Sequence, residues 1–133
     1  MAGNASDALE TEILNATLKN TAAFLPVAAP YIALHTGDPT DAGTANEHPN
    51  SSGYARTAAT FGTITGGVVS NSAAVTFPVA TGDWTAVTYF SIWTSGTYGA
   101  GTCLFWGQLT TPRTVTSGNY AQFAIGAISV TST

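Results

Sequence analysis

Five side chains that could bind a metal or transfer a proton lie in or beside one polar stretch, residues 36–53. In chain order they are His35, Asp38, Asp41, Glu47 and His48. Their oxygen and nitrogen atoms are of the kinds that hold divalent metal ions. The acids, however, lack the alternating positions and fixed glycine of a calcium-binding loop, and no His-x-x-x-His pair is present. This spacing favours a solvated loop with a structural His35, and we predict no metal or other cofactor.

Side chains for covalent or acid–base catalysis are present, but no pattern brings them together. Serines are plentiful without a Gly-x-Ser-x-Gly elbow, and Cys103 has no basic neighbour along the chain to activate its thiol. A glycosidase needs two carboxylates across a cleft, and nothing in the sequence places Asp83 beside Glu47. Asp83 lies in Thr-Gly-Asp-Trp, which is typical of a turn. We therefore predict no enzymatic activity and a buried, inert Cys103.

The aromatic side chains concentrate in and around two β-type runs, residues 85–93 and 102–109. Most of them are predicted to pack in the core. Trp84 and Tyr98 lie at the edges of turns, and we expect these two at the surface. There they would act as anchors of a protein interface or as a platform on which sugars stack. A carbohydrate-binding module is therefore one hypothesis for function.

The elements that position these residues are mostly strands. Residues 85–93 alternate with period two and carry aromatics on both faces, which predicts a central strand covered on one face and at least partly on the other. A Gly-Gly pair at Gly66 and Gly67 predicts a hairpin turn. Further β-type runs are residues 31–35, 54–61, 73–77, 102–109, 120–125 and 127–131. The chain is predicted to be mainly β, an antiparallel β-sandwich (jelly-roll or Ig-like) of seven to eight strands.

A short amphipathic helix is predicted near the start of the chain, over about residues 7–20. Ser6 or Asp7 can cap it, and Leu9 and Ile13 repeat at helical spacing. The helix either packs on the sheet or docks on a neighbouring subunit, and both alternatives remain open here. We divide the chain into a helix and connector, residues 1–30, and a β-sandwich domain, residues 31–133.

Charge is scarce: only 8% of residues are charged, and the net charge is −4. Three basic residues, Lys19, Arg56 and Arg113, cannot neutralise a run of phosphates, so we predict no binding to nucleic acid or membrane. A surface rich in Thr, Ser and Asn suits a protein that packs against copies or partners, and it also suits extracellular β proteins. Arg56 and Arg113 are our candidates for contacts with acidic partners, and the alternative is that each pairs with an acid of its own chain.

Four sequence blocks together resemble a family of small structural proteins encoded among the virion genes of tailed bacteriophages, often described as tail fibre proteins. They are YIALHTGDP at residues 31–39, Asn46-Glu47 with GYAR at residues 53–56, VTFPVATGDW at residues 75–84 and TTPRTVTS at residues 110–117. The resemblance extends from about Leu9 to Val130. It implies a virion component, assembled in the host cytoplasm, and no catalytic residues.

Size and fold class are also similar to those of capsid decoration (cement) proteins, which commonly form trimers on the shell. Our leading expectation is a homotrimeric cement protein that binds the major capsid protein, and the alternative is a protein of the tail fibre or tail tip that helps adsorption. The long loop and the helix are the expected contact regions. The predicted partner-binding residues are Leu9, Ile13, Asp38, Glu47, Arg56, Trp84, Tyr98 and Arg113.

Overall fold

One α-helix and nine β-strands are formed by the residues that the computed structural model describes, residues 2–21, 23, 25 and 27–132. No helix in these ranges is long and apolar enough to cross a membrane. In chain order the elements are β1 (Ala2–Ala5), α1 (Asp7–Leu18), β2 (Tyr31–His35), β3 (Thr57–Ala58), β4 (Val68–Ser70), β5 (Val75–Thr76), β6 (Val87–Trp93), β7 (Cys103–Arg113), β8 (Gln122–Phe123) and β9 (Ser129–Thr131).

Five strands form an antiparallel sheet in the order β3-β2-β6-β7-β1. β1 also pairs in parallel with β9, and β9 pairs with β4, so the sheet continues to seven strands. β5 and β8 form a separate two-stranded sheet. The protein is therefore mainly β and consistent with a β-sandwich, as the sequence predicts. The strand count exceeds the predicted seven to eight because several strands have only two residues and β1 was not anticipated.

The main hydrophobic core lies between the long sheet and the β5–β8 sheet. The ring of Phe123 in β8 lies 6.3 Å from that of Phe90 in β6 and 6.2 Å from that of Phe77, both close to edge-on. Leu34 of β2 and Val75 of β5 are buried in the same cluster. Such edge-to-face aromatic pairs add specificity to the burial of apolar area.

β6 is central, as predicted, because it pairs with β2 on one side and β7 on the other. Its Phe90 face points into the main core, and its Ser91 and Trp93 face is covered by residues 36–53, so both faces are buried. Gly43 of that segment lies against Cys103 and Trp93. The polar stretch expected to be a solvated loop is therefore folded back over the sheet.

The N-terminal helix begins at a Ser6 cap, where the hydroxyl accepts a hydrogen bond from the Leu9 N–H at 3.2 Å. The same hydroxyl donates to the Cys103 carbonyl, which fixes the start of α1 to β7. Leu9 is buried in the core. The predicted helix is confirmed, and it packs on the sheet through this residue.

The predicted Gly-Gly hairpin turn is also present. Thr65 and Val68 exchange both backbone hydrogen bonds, at 3.0 and 3.1 Å. Gly66 and Gly67 between them have φ of +60° and +77°. Positive φ at both central positions defines the tight turn that matches the twist of paired strands, and glycine adopts it without a steric penalty.

Candidate functional site

Glu47 and Arg56 form a buried ion pair that joins the folded-back segment to the rest of the protein. Arg56 Nε and Nη2 donate to the two Glu47 carboxylate oxygens at 2.8 and 2.7 Å, and the Arg56 side chain is fully buried. Its Nη1 donates to the carbonyls of Ser95 and Ala100, and its guanidinium lies 3.9 Å from the centre of the Trp93 ring. This arrangement compensates the cost of burying the charges. Arg56 thus follows the alternative prediction, in which it pairs with an acid of its own chain.

His35 and Ser91 form a second buried polar group. The Ser91 hydroxyl accepts from Trp93 Nε1 at 2.6 Å and donates to His35 Nε2, also at 2.6 Å. His35 Nδ1 donates to the Ala45 carbonyl at 2.8 Å. All these bonds are satisfied by the neutral imidazole, and burial correspondingly lowers the pKa of His35. The prediction of a satisfied structural histidine is confirmed.

The Ser91–His35 contact has the geometry of a nucleophile and its base, and sequence reasoning did not anticipate it because the residues are far apart in the chain. Both residues are 0% exposed. A substrate cannot reach a hydroxyl that is covered on every side, so this pair is structural. Cys103 is likewise buried, and burial raises the pKa of its thiol to about 12. The thiol therefore stays protonated, and the protonated form is not nucleophilic.

Three predicted contact residues lie inside the protomer, which corrects the expectation that they face a partner. Trp84 is 2% exposed, although we expected it at the surface. Its Nε1 donates to the Ser52 carbonyl at 2.8 Å, and its ring packs against His48 and Tyr54. Leu9 and Arg56 are also buried. The sugar platform that required Trp84 is therefore wrong, because a buried ring offers no face for stacking.

The other predicted contact residues are distributed over several surfaces. Ile13, Asp38, Tyr98 and Arg113 are exposed, whereas the Glu47 side chain is only 9% exposed and belongs to the ion pair. Tyr98 packs edge-on to Tyr54 with ring centres 6.3 Å apart. No cluster of three or more His, Cys, Asp or Glu that could hold a metal is found in the part of the chain that the structure describes.

Arg113 lines a groove that the sequence did not reveal. The groove has a volume of about 530 Å³ and lies between the C-terminal end of β7 and residues 120–127. Leu34, Val87 and Leu109 contribute buried apolar side chains to it. Tyr120, which is 53% exposed, is at its margin. The volume of this groove lies within the range that is common for small-ligand sites.

A bulge in β7 shapes one side of this groove. Tyr89 pairs with Gln108, but Val87 pairs with Arg113, so two steps along β6 correspond to five along β7. Pro112 lies within these extra residues. Proline has no N–H to donate to the ladder and is tolerated at a bulge. The bulge carries Thr110 and Thr111 to the groove.

The helix presents a second surface, made of exposed apolar side chains. Ile13, Leu14 and Leu18 are 43%, 56% and 79% exposed. Leu18 follows Leu9 by nine residues, which places it about 180° round the helix axis from that buried residue. The helix is therefore apolar both toward the core and toward solvent.

These features define a class: a small, mainly β domain. Its buried polar groups form hydrogen bonds with one another, and its outer surface carries an apolar helix face and a groove. The sequence comparison identifies the family within that class. The chain belongs to the family described as Podophage GP4 fiber I protein gp80, which matches residues 4–131. It is thus a bacteriophage virion component from a family of structural fibre proteins, which confirms the predicted resemblance. No curated protein matches the chain.

Proposed function

We propose that this protein is a non-enzymatic structural subunit of a phage tail fibre, where it contributes to attachment to the host. The observation that carries the proposal is the family match over residues 4–131, nearly the whole chain. The family description agrees with the tail fibre alternative of the sequence analysis. It gives no support to capsid decoration, which was the leading expectation, so we prefer the fibre.

The internal chemistry of the protomer supports a structural role. The Glu47–Arg56 pair and the Ser91–His35 pair each lie in the interior with their hydrogen bonds made. Among the described residues, no buried side-chain nitrogen or oxygen lacks a hydrogen-bond partner. Polar groups that are satisfied in this way make a core rigid and specify one packing arrangement. A fibre subunit that transmits load requires such rigidity.

The outer face of α1 supports assembly with other virion subunits, including copies of this chain. Leu14 and Leu18 are four residues apart and therefore neighbours on one helix face, and both are more than half exposed. Burying apolar area of this kind contributes about 25 cal/mol per Å². In a fibre built from several copies, such contacts act together. We therefore propose that this face contacts a fibre partner, with a homotrimer as the expected assembly.

Removal of the protein from the phage tests its function. Phage grown with the gene disabled by an amber codon should have filled heads of normal heat resistance, lack fibres in negative-stain micrographs and adsorb poorly. Supplying the wild-type chain from a plasmid should restore fibres and adsorption. Heads that lose heat resistance while fibres remain complete would instead establish a cement protein and contradict the proposal.

A further inference from the structure

We propose that the groove beside β7 binds a sugar that carries one negative charge, either a carboxylate or a phosphate. This is a binding site of the single chain, and it does not depend on where the protein lies in the virion. The helix face proposed for assembly does not include it.

The shape of the groove suits one or two sugar rings. Its volume of about 530 Å³ falls within the range of roughly 300–1,000 Å³ that is common for small-ligand sites. Leu34 and Val87 lie beneath the groove, each 1% exposed and part of the main core, so they hold its shape but offer a ligand almost no surface. A groove on such a fixed base is preformed, which reduces the entropy that binding has to overcome.

Arg113 supplies the charge that would recognise an anion. It is exposed and makes no ion pair or hydrogen bond through its side chain within the described ranges. Arg56 differs completely, because its guanidinium is occupied by Glu47 and two carbonyls. A free guanidinium presents two parallel N–H donors that match a carboxylate or a phosphate. With this single cation in the groove, the ligand should carry a single anionic group.

The margin of the groove supplies groups that bind sugar hydroxyls and a sugar ring. Thr110 and Thr114 offer hydroxyls, which can both donate and accept. The Gln122 amide donates through Nε2 to Thr76 Oγ1 at 2.7 Å, so its position is fixed and its carbonyl oxygen remains to accept. Tyr120 exposes half of its surface, and an exposed aromatic ring can stack on the apolar C–H face of a sugar.

The composition of the groove argues against other ligand classes. An apolar ligand would leave Arg113 and the threonine hydroxyls without partners, which costs binding energy. A nucleic acid would require several cations along a backbone, and the described part of the groove has one. A polyhydroxylated ligand with one anionic group would contact the Arg113 guanidinium, the threonine hydroxyls and the Tyr120 ring together.

The direct test is to titrate the purified full-length chain with small sugars and follow its amide resonances by NMR. The probes are glucuronate, glucose 6-phosphate, glucose and inorganic phosphate. For glucuronate or glucose 6-phosphate we expect a Kd on the order of 1 mM, with the shifts confined to the ends of β7 and residues 120–127. Preference for one of the two charged sugars identifies the anion. Glucose and inorganic phosphate should each bind at least roughly tenfold more weakly, because glucose lacks the anionic group and inorganic phosphate lacks the sugar ring.

Matched variants show whether the groove is responsible. Arg113→Gln should weaken binding of the charged sugar roughly tenfold, and Tyr120→Ala roughly fivefold, since a charge-assisted bond and a stacked ring are lost. Lys19→Gln removes the other exposed cation, and Tyr98→Ala removes another exposed tyrosine; both should leave the Kd unchanged. Thermal unfolding of each variant verifies that the fold is intact, which is expected because all four side chains are exposed.

Several results would overturn the proposal. These are no binding of either charged sugar, equal binding of glucose, equal binding of inorganic phosphate, and equal losses from Arg113→Gln and Lys19→Gln. A groove closed by a second copy would also overturn it. In that case sedimentation would show an oligomer, Arg113→Gln would dissociate it, and the charged sugars would produce no shifts.

Discussion

At the scale of single residues, the Glu47–Arg56 ion pair lies in the interior of a chain that has few charged residues. The Arg56 side chain is fully buried and its partner Glu47 nearly so. A buried pair is costly to disrupt, because removing one member leaves the other charge without compensation in a poorly solvated site. The pair also ties residues 36–53 to the turn at Ser95 and Ala100. Its role is to hold this segment in one position.

We expect Glu47→Gln to lower the free energy of unfolding by about 3 kcal/mol, because Arg56 then lacks its counter-ion. Replacing both residues by apolar ones, Glu47→Leu with Arg56→Met, should cost less than the sum of the two single changes. Urea denaturation measures these values. Asp38→Asn is the control, an exposed acid in the same segment, and should change stability by less than about 0.5 kcal/mol. An equal effect of Glu47→Gln and Asp38→Asn would contradict the role of the pair.

Stability should also fall at alkaline pH because of two buried groups. Burial raises the pKa of Cys103 to about 12 from an ordinary value of 9.0, and it raises the pKa of Tyr54 as well. Above about pH 9 the unfolded chain therefore releases protons that the folded protein retains, and the free energy of unfolding decreases as pH rises toward about 12. Below about pH 9 this contribution is complete and constant.

Urea denaturation at a series of pH values measures this effect. The slope contributed by one such group is up to about 1.4 kcal/mol per pH unit. Above about pH 9, the free energy of unfolding of the Cys103→Ala variant should decrease less steeply with pH than that of the wild type, whatever the stability of the variant at neutral pH. Identical slopes for the two proteins would show that the thiol does not titrate differently on unfolding.

Residue-level prediction from sequence succeeded where the local pattern decided the outcome. His35 ends an apolar strand, and its structural role follows from that position. The prediction that Trp84 lies at the surface is wrong, because a turn-edge position does not indicate which distant segment covers the ring. Here the covering groups, His48 and Tyr54, come from the folded-back segment and the residues after it. Arg113 was identified as a contact candidate, but the groove beside it depends on tertiary structure.

At the scale of elements, β1 shows how tertiary pairing creates a strand that the sequence does not predict. Its residues, Ala-Gly-Asn-Ala, have low β propensity. The strand forms because it lies between β7 and β9 and pairs with both. β6 was predictable, since its alternation of apolar residues is visible locally. The register shift between β6 and β7 was not, because it arises from how two distant strands pair.

The folded-back segment of residues 36–53 gives a prediction about close packing. Gly43 has a φ of +73°, and an added Cβ would overlap the side chain of Cys103 in β7. Gly66 has a similar φ of +60° with open space around it. Gly66→Ala should therefore cost about 1 kcal/mol for backbone strain alone. Gly43→Ala should cost about 3 kcal/mol or more, because steric overlap adds to the strain.

Thermal or urea denaturation of these two variants measures the difference. Because both positions have positive φ, the comparison isolates the contact between the segment and the sheet. Equal destabilisation of Gly43→Ala and Gly66→Ala would mean that residues 36–53 are not held tightly against β7. In that case the segment would be an open loop, as the sequence alone suggested.

At the scale of the whole molecule, the outer face of α1 is the surface through which we expect the protein to assemble. Leu14→Ser with Leu18→Ser should leave the stability of the protomer within about 0.5 kcal/mol, since both side chains are exposed. The incorporation of this double variant into phage particles should be at least roughly tenfold lower than that of the wild type. The control is Ile64→Ser with Ile125→Ser, which removes two residues that are each 70% exposed at other places. Equal incorporation of the two double variants would exclude α1 as the docking surface.

The fold and family were accessible from sequence because they depend on patterns spread along the whole chain. The position of the protein in the virion depends on contacts with other subunits, which a single chain does not display. The two virion hypotheses, cement and fibre, share the same fold class and similar surface composition. They differ in where the protein lies and in how many copies are present.

The central claim, that this is a fibre subunit, is therefore tested most directly by locating the protein on the intact particle. Gold-labelled antibody against the purified chain should mark the tail fibres in electron micrographs. A quantitative gel should show copy numbers comparable to those of other tail proteins. Gold spread over the head, with copy numbers that match the major capsid protein, would contradict the fibre account and establish a decoration protein.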